Sequence, residues 1–475
     1  MQTQDPDHEK FDALIIGAGQ AAAPLARVLG QAGWKTAVVE RKHVGGSCIN
    51  FGCTPTKAMA ASARVAYLAR RADDYGVRTG KVAVDLASVV QRTQAIVDRF
   101  RDGMRQSLEG AAKVELIFGH AAFEGPHAIA VQLNAGGSRR LAADHIFINS
   151  GTRAAIPPIA GLDQLPFLDA SSIQRLERLP EHLLVIGGSY IGLEFGQMFR
   201  RFGSRVSIVQ RGPQLMDRED ADVAEAVRDI LVEDGIEVYL EAEVLNAGRG
   251  QGDGNDNVML ELQLPGGPMR LQGSHVLVAT GRTPNSDDLK LAAAGVGTDA
   301  AGAIRVNERL ETNVPGVYAM GDVKGGPAFT HMAYDDYRVL KLNLLEQGNR
   351  TVSGRAVPYA VFIDPQLGRI GLTEAQAKAS GRRILVARLP MSRVARAVEA
   401  GETRGFMKAV VDAESGRILG GAVLGLEGGE LMAMLQLAMM GDIPYPRLRD
   451  AIFAHPTLAE SLNSLFAAPE PAAGQ

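Results

Sequence analysis

The sequence is poor in cysteine: its 475 residues hold two, Cys48 and Cys53. A secreted disulfide scaffold would carry more, spaced to staple distant segments. A structural zinc site of the usual kind needs four ligands, and no second Cys/His cluster lies near these two, so no structural metal is expected. Long apolar runs are missing too; none reaches the ~18 residues that cross a bilayer. The opening MQTQDPDHEK is polar, with no apolar core, so no signal peptide is expected. Nor does one charge dominate: 50 basic and 54 acidic side chains leave a formal net charge of −4. That argues against a nucleic-acid binder held by a basic face. The expectation is a cytoplasmic protein with neither membrane nor nucleic acid as partner, in which two close cysteines and no others suggest a redox pair.

What is present suits several buried cores. Hydrophobic residues make up 46% and charged residues 22%, and at one domain per ~150 residues the length implies about three domains. The 54 glycines are an excess without a collagen period, which points to tight turns and close backbone approaches.

Phe11 to Ile16 is a short apolar run ending in Gly17-Ala18-Gly19. An Ala-rich helix is expected from about Gln20 to Gln31, then a strand from Lys35 to Val39 that ends in Glu40. This is a strand–helix–strand opening with an acid about twenty residues after the glycines. The same grammar recurs at Leu183 to Ile186, then Gly187-Gly188-Ser189-Tyr190-Ile191-Gly192, a helix, and Val206 to Val209. The chain therefore carries two nucleotide-binding units.

Between them two long helices are expected, the second over about Leu86 to Leu108, followed by strands near Val114 to Phe118, Ala128 to Leu133 and Ile146 to Ser150. Pro157-Pro158 marks a boundary, and Gly248 to Asn257 reads as a loop or hairpin tip. Strands at Val276 to Ala279 and Val317 to Met320 run into Thr280-Gly281-Arg282 and Gly321-Asp322. Beyond Pro358, strands near Tyr359 to Ile363, Phe406 to Val411 and Ile418 to Leu424 alternate with helices, a third, α+β domain; the tail from Ala467 is expected to fray.

The first glycine motif has a physical reading. Gly17 permits the tight turn, Gly19 lets a pyrophosphate approach a helix N-terminus, and Ala22 allows close helix–strand packing. Glu40 can accept both hydroxyls of an adenosine ribose. Next comes Gly45 to Lys57, GGSCINFGCTPTK, where Cys53-Thr54-Pro55 reads as a helix start that lowers the pKa of a thiol placed there.

With these motifs, Ser150-Gly151, Ala279-Thr280-Gly281-Arg282, Gly321-Asp322 and His455-Pro456-Thr457-x-x-Glu460 follow in order. The chain resembles the FAD-dependent class I pyridine nucleotide-disulfide oxidoreductases over nearly its whole length. The resemblance implies an α/β fold of two Rossmann-like domains plus a C-terminal dimerisation domain. Residues 1–154 and 285–355 would bind FAD, 155–284 the nicotinamide cofactor, and 356–475 the second subunit of a homodimer. Cys53 matches the thiolate beside the flavin and Cys48 the thiol that attacks substrate. Lys57 matches the lysine near flavin N5, with Glu194 its ion-pair partner. His455 matches the acid–base that serves the interchange thiol across the subunit boundary, and Glu460 the acid that orients it. Asp322 matches the ribityl-chain ligand, Ala121 and Thr330 backbone contacts to the flavin, and Tyr190 a lid over the nicotinamide. Further cofactor contacts are implied at Gly46, Ser47, Ser150, Gly151, Gly187, Ile191, Val244 and Gly281.

The second unit departs from the pattern. Ser189 replaces the middle glycine, and the second strand ends in Gln210-Arg211 rather than an acid. A carboxylate would receive a free ribose 2′-hydroxyl; an arginine in its place favours the 2′-phosphate of NADPH over NADH. The segments FTHMAYDDY and IFAHPTLAESLNSLF look closest to the mercuric-reductase-like branch and, within it, the reactive-chlorine-resistance copper(II) reductases. That implies electrons passed from NADPH through FAD to Hg(II), Cu(II) or a small disulfide, with Cys48 and Cys53 as soft thiolates for a substrate metal. The alternative is a dihydrolipoamide dehydrogenase-type component of a larger complex. Met432, Met434, Met439 and Met440 are expected to fill apolar helix contacts rather than bind copper.

Overall fold

The computed structural model describes residues 8–250 and 257–472. Its internal contacts divide the chain into two units: residues 1–58, 90–155 and 281–355, and residues 59–89, 156–280 and 356–475.

In the first unit Glu9–Ile16 is the central strand, paired in parallel with Thr36–Glu40 on one side and with Ser138–Ile148 on the other. Val114–Gly125 and Val317–Ala319 extend the parallel core at its two ends. Alternate residues of the central strand enter different cores: Leu14 and Ile16 pack on one face, Ala13 and Ile15 on the other. A strand buried on both faces is a continuous apolar run, which is why FDALII is legible as one. Two strands run longer than expected. Val114–Gly125 continues past Phe118, and Ser138–Ile148 begins eight residues before Ile146; both extensions pair antiparallel with Ala128–Leu133. The early half of the latter, SRRLAAD, is only partly covered, so it lacks the apolar signal.

The second unit holds a four-stranded parallel sheet in the order His275–Val278, His182–Ile186, Arg205–Val209, Glu237–Tyr239. Beside it is a three-stranded antiparallel sheet, Glu243–Arg249, Val258–Leu264 and Gly267–Gly273. The first two of these strands flank the glycine-rich tract, of which residues 251–256 lie outside the described residues. From Tyr359 the chain builds a six-stranded antiparallel sheet backed by the helix Gly428–Met440. The tail differs from expectation: Glu470–Pro471 adds an edge to this sheet by pairing with Leu385 and Val386, while residues 473–475 lie outside the described part. Met432, Met434 and Met439 pack into the core beneath the helix, but Met440 is 72% exposed.

Candidate active site

The first glycine loop is shaped by backbone crowding. Gly17 has φ +95°, and a Cβ there would lie 2.5 Å from the Asn149 carbonyl oxygen, so no other residue fits. The helix Ala22–Gln31 follows without a side-chain cap, leaving its first N–H groups directed at whatever sits before it. Gly46 packs so closely on Gly19 that a Cβ on it would meet the Gly19 Cα at 2.9 Å. Glu40 ends its strand and folds back: one carboxylate oxygen accepts from Ala18 N at 2.8 Å, the other from Lys42 N and His43 N. Asn149 donates to the Gly17 carbonyl at 3.2 Å. Uncapped donors, a glycine-backed cradle and an anchored acid fit the pyrophosphate and ribose of a dinucleotide.

Other predicted flavin contacts gather in the same unit. Asp322 lies in the turn Gly321–Lys324 and accepts from the Thr152 hydroxyl at 3.1 Å; Arg282 Nε donates to that hydroxyl at 2.6 Å. Ser150 and Asn285 exchange hydrogen bonds at 2.7 and 2.9 Å, beside Gly151. Gly281 accepts from Ala155 N. Ala121 is buried on Val114–Gly125. Asp336 was not foreseen. It is fully buried, accepts from Gly321 N at 2.8 Å and pairs with Lys324 and Arg355, so it holds the turn that presents Asp322.

Cys48 sits with Gly46 and Ser47 on the short helix Gly46–Asn50, and Cys53 opens the helix Cys53–Arg70 with Lys57 one turn on. Both thiols are free, Cys48 half-buried and Cys53 exposed. Cys53 Sγ lies 3.6 Å from the Thr330 hydroxyl. The hydrogen bond with Cys53, then burial and the Cys53 charge, push the Cys48 thiol far above the ordinary thiol range; the Thr330 hydroxyl and the Lys57 ammonium pull weakly the other way. In the reduced pair Cys48 therefore keeps its proton and becomes a nucleophile only if a base takes it; Cys53 stands at a helix N-terminus, a place that favours a thiolate. Asn50 locks this segment: it donates to Val44 and Gly46 carbonyls at 2.9 Å and accepts from Arg101 Nε at 2.7 Å. Asn50 lies between the cysteines and could have been suspected; Arg101, fifty residues on, carries no sequence signal.

The second glycine loop repeats the first. Gly187 has φ +116°, and a Cβ there would meet the Ala279 carbonyl oxygen at 2.4 Å. Ser189 precedes the helix Tyr190–Phe202 without capping it through its side chain, so the donors stay available. Ile191 lies in the first turn of that helix, half-buried. Gln210 Oε1 accepts from Gly188 N at 3.0 Å. Arg211 and Arg218 are exposed. Val244 lies on Glu243–Arg249, paired with Leu262.

Glu194, expected to pair with Lys57, is 4% exposed, and its Oε1 accepts from Phe362 N at 2.8 Å. His455 Nδ1 lies 3.0 Å from both Glu460 carboxylate oxygens, and the His455 side chain is 72% exposed. An imidazole held by a carboxylate on one nitrogen and open on the other suits proton transfer. Among the described residues no helix is long and apolar enough to cross a membrane.

Comparison with known proteins identifies the family. Residues 11–336 match the pyridine nucleotide-disulphide oxidoreductase family, and residues 357–466 match its dimerisation domain. The chain is 36% identical over 461 residues to a probable pyridine nucleotide-disulfide oxidoreductase, RclA, of Escherichia coli, covering 96% of this chain and 99% of that one. It is 33% identical to a mercuric reductase of Acidithiobacillus ferrooxidans (96% and 82% covered) and 33% to a dihydrolipoyl dehydrogenase of Chlorobaculum tepidum (98% and 98%). The solved Cu(II) complex of the HOCl-induced flavoprotein disulfide reductase RclA superposes with a TM-score of 0.88 at 35% identity, covering 97% of this chain and 99% of that one.

Proposed function

Because this chain belongs to the pyridine nucleotide-disulphide oxidoreductase family, which is FAD-dependent and uses a pyridine nucleotide, we propose that it carries electrons from NADPH through FAD to the Cys48–Cys53 pair and on to Cu(II), Hg(II) or a small disulfide. The observation that carries the reading is the placement of the thiols: Cys53 opens the helix Cys53–Arg70 with its Sγ 3.6 Å from the Thr330 hydroxyl, and Cys48 lies half-buried on the short helix before it, its proton held by Cys53 and by burial until a base removes it.

With a disulfide substrate, Cys48 thiolate attacks one sulfur and expels the other as a thiolate, which takes a proton. Cys53 then attacks the Cys48 sulfur, releasing the second thiol and closing the Cys48–Cys53 disulfide. FAD, when bound, supplies the two-electron link by which NADPH reopens that disulfide. His455, oriented by Glu460, takes and returns the Cys48 proton. With a metal ion, the metal itself displaces the Cys48 proton to water and binds both sulfurs, which close to the Cys48–Cys53 disulfide and give up two electrons, one to each of two Cu(II) ions or both to one Hg(II); no leaving thiol needs a proton, so His455 is less needed than with a disulfide. Lys57 supplies a positive charge that favours reduced flavin.

Gln210 and Arg211 support NADPH: a neutral amide spares the 2′-phosphate from repulsion, and an exposed guanidinium can bind it. They also count against the dihydrolipoamide dehydrogenase-type alternative, with its NADH preference. Residues 1–154 and 285–355 form the flavin part, 155–284 the nucleotide part and 356–475 the dimerisation part. The exposed apolar side chains Leu437, Met440 and Ile452 support a homodimer, in which His455 serves the partner's thiols. A single redox pair with no further cysteines to form structural disulfides suits the reducing cytoplasm. The test is a steady-state screen of the flavin-loaded protein, NADPH against NADH, with Cu(II), Hg(II), lipoamide and oxidised glutathione as acceptors. Turnover with NADPH and a metal or small disulfide is expected; turnover confined to NADH and lipoamide would select the alternative.

A further inference from the structure

The second unit carries a pocket of about 570 Å³, open to solvent, whose wall carries five arginines, Arg70, Arg71, Arg200, Arg201 and Arg404. Three of them are neutralised. Arg404 pairs with Asp234 and Glu402, each at 2.7 Å. Arg201 pairs with Asp234 at 3.3 Å and with Asp364. Arg71 pairs with Asp74 at 2.9 Å.

Arg70 and Arg200 differ. Their hydrogen bonds go to backbone carbonyls: Arg70 to that of Arg201, Arg200 to those of Asp234 at 3.0 Å and Ser204. Among the described residues neither has an acid partner. The third acid of the wall, Glu233, is exposed. In the same wall Arg201 is 5% exposed, and its buried Nε has no hydrogen-bond partner although its other nitrogens are paired. Two guanidiniums lacking acid partners in one wall are the complement of an anion with several charged oxygens. The volume lies within the range of small-molecule sites, ~300–1,000 Å³, and exceeds what one orthophosphate fills. The Tyr67 ring in the wall already carries the guanidiniums of Arg201, Arg71 and Arg404 at 3.8, 5.1 and 5.6 Å. The ligand is therefore read by charge rather than by stacking a base.

We propose that this cavity binds a small oligophosphate, with Arg70 and Arg200 as its principal ligands. None of the wall residues belongs to either glycine loop or to Gln210-Arg211, so the site is distinct from those that recognise the two dinucleotides.

Calorimetric titration of the flavin-loaded protein with inorganic triphosphate tests this. One equivalent per chain is expected, weakened by added salt. Arg70→Gln and Arg200→Gln should each weaken binding by about ten- to a hundredfold, the scale of a lost charge-assisted bond. Arg70→Lys should retain most of it, which separates lost charge from a disturbed fold, and Arg211→Gln should leave it intact. Citrate should bind at least tenfold more weakly. The proposal is overturned if wild type does not bind triphosphate, if Arg70→Gln and Arg200→Gln bind like wild type, or if citrate binds equally well. It is also overturned if triphosphate competes with NADPH and is lost with Arg211→Gln, which would move the anion to the nucleotide site.

Discussion

The two glycine loops are one backbone device used twice, and the difference that bears on the ligand's charge lies at the end of the second strand. In both, the first glycine donates to a carbonyl near the end of the second strand: Gly17 to Val39 at 2.7 Å, Gly187 to Val209 at 2.9 Å. In both, the residue after the third strand returns a bond to the first, Asn149 N to Ile16 and Ala279 N to Ile186, each at 2.8 Å. In both, the side-chain oxygen of the next residue along from that carbonyl accepts from the residue between the loop's first and third positions, Glu40 from Ala18 and Gln210 from Gly188. The loop closes identically whether that oxygen is a carboxylate or an amide. The fold therefore leaves the charge at this position to the ligand: negative in the first unit, neutral with an arginine beside it in the second.

The largest effect should come from separating the chemistry of the first unit from the recognition of the second. Cys48→Ser should abolish turnover with any disulfide while leaving NADPH binding within twofold; stopped-flow reduction and steady-state assays on one sample check both. Retained disulfide turnover would break the thiol assignment. His455→Ala should cut disulfide turnover by ~10²–10⁴-fold, the scale of general acid–base catalysis, with metal reduction much less affected. Mixing His455→Ala with Cys48→Ser chains should restore one working site per mixed dimer.

Arg211→Glu should weaken NADPH by about ten- to a hundredfold and spare NADH, measured as dissociation constants. Gln210→Glu makes the second loop like the first; it should close the gap between the cofactors by about tenfold, the low end of a charge-assisted bond. If it changes neither affinity, the charge at this position is not read by the ribose.

The smallest effect concerns stability in acid. Burial pushes Asp220 and Glu374 up, but hydrogen-bond donors and lysine charges outweigh it: the Glu374 and Ala375 N–H groups and Lys408 for Asp220, Lys378 and Lys408 for Glu374. Both end below the ordinary carboxylate range. Their contribution is present above that range and is lost as pH falls through the lowered folded values. Lys408→Met should cost about 3 kcal/mol near neutrality, because it strands buried carboxylates, and should flatten the acid limb of the melting curve.

The parts of the site legible in the sequence were those whose chemistry is local. Gly17, Glu40, Cys53 and Gln210-Arg211 each stand within a few residues of the strand or helix end that gives them meaning. Asn149 and Asp336 were missed because their partners, Gly17 and Gly321, are set by sheet order and helix packing rather than by spacing. The strand extension at 138–145 was missed because one-sided cover leaves no apolar run.

The central claim is that NADPH electrons leave through the Cys48–Cys53 pair. Differential alkylation with mass spectrometry measures it directly. In air-oxidised, flavin-loaded protein neither cysteine should react with the alkylating agent. Anaerobic NADPH should make both reactive in the same chain, and a metal or disulfide acceptor should reverse this. If acceptor is reduced while Cys48 and Cys53 stay unreactive throughout, the electrons take another path and the account is wrong.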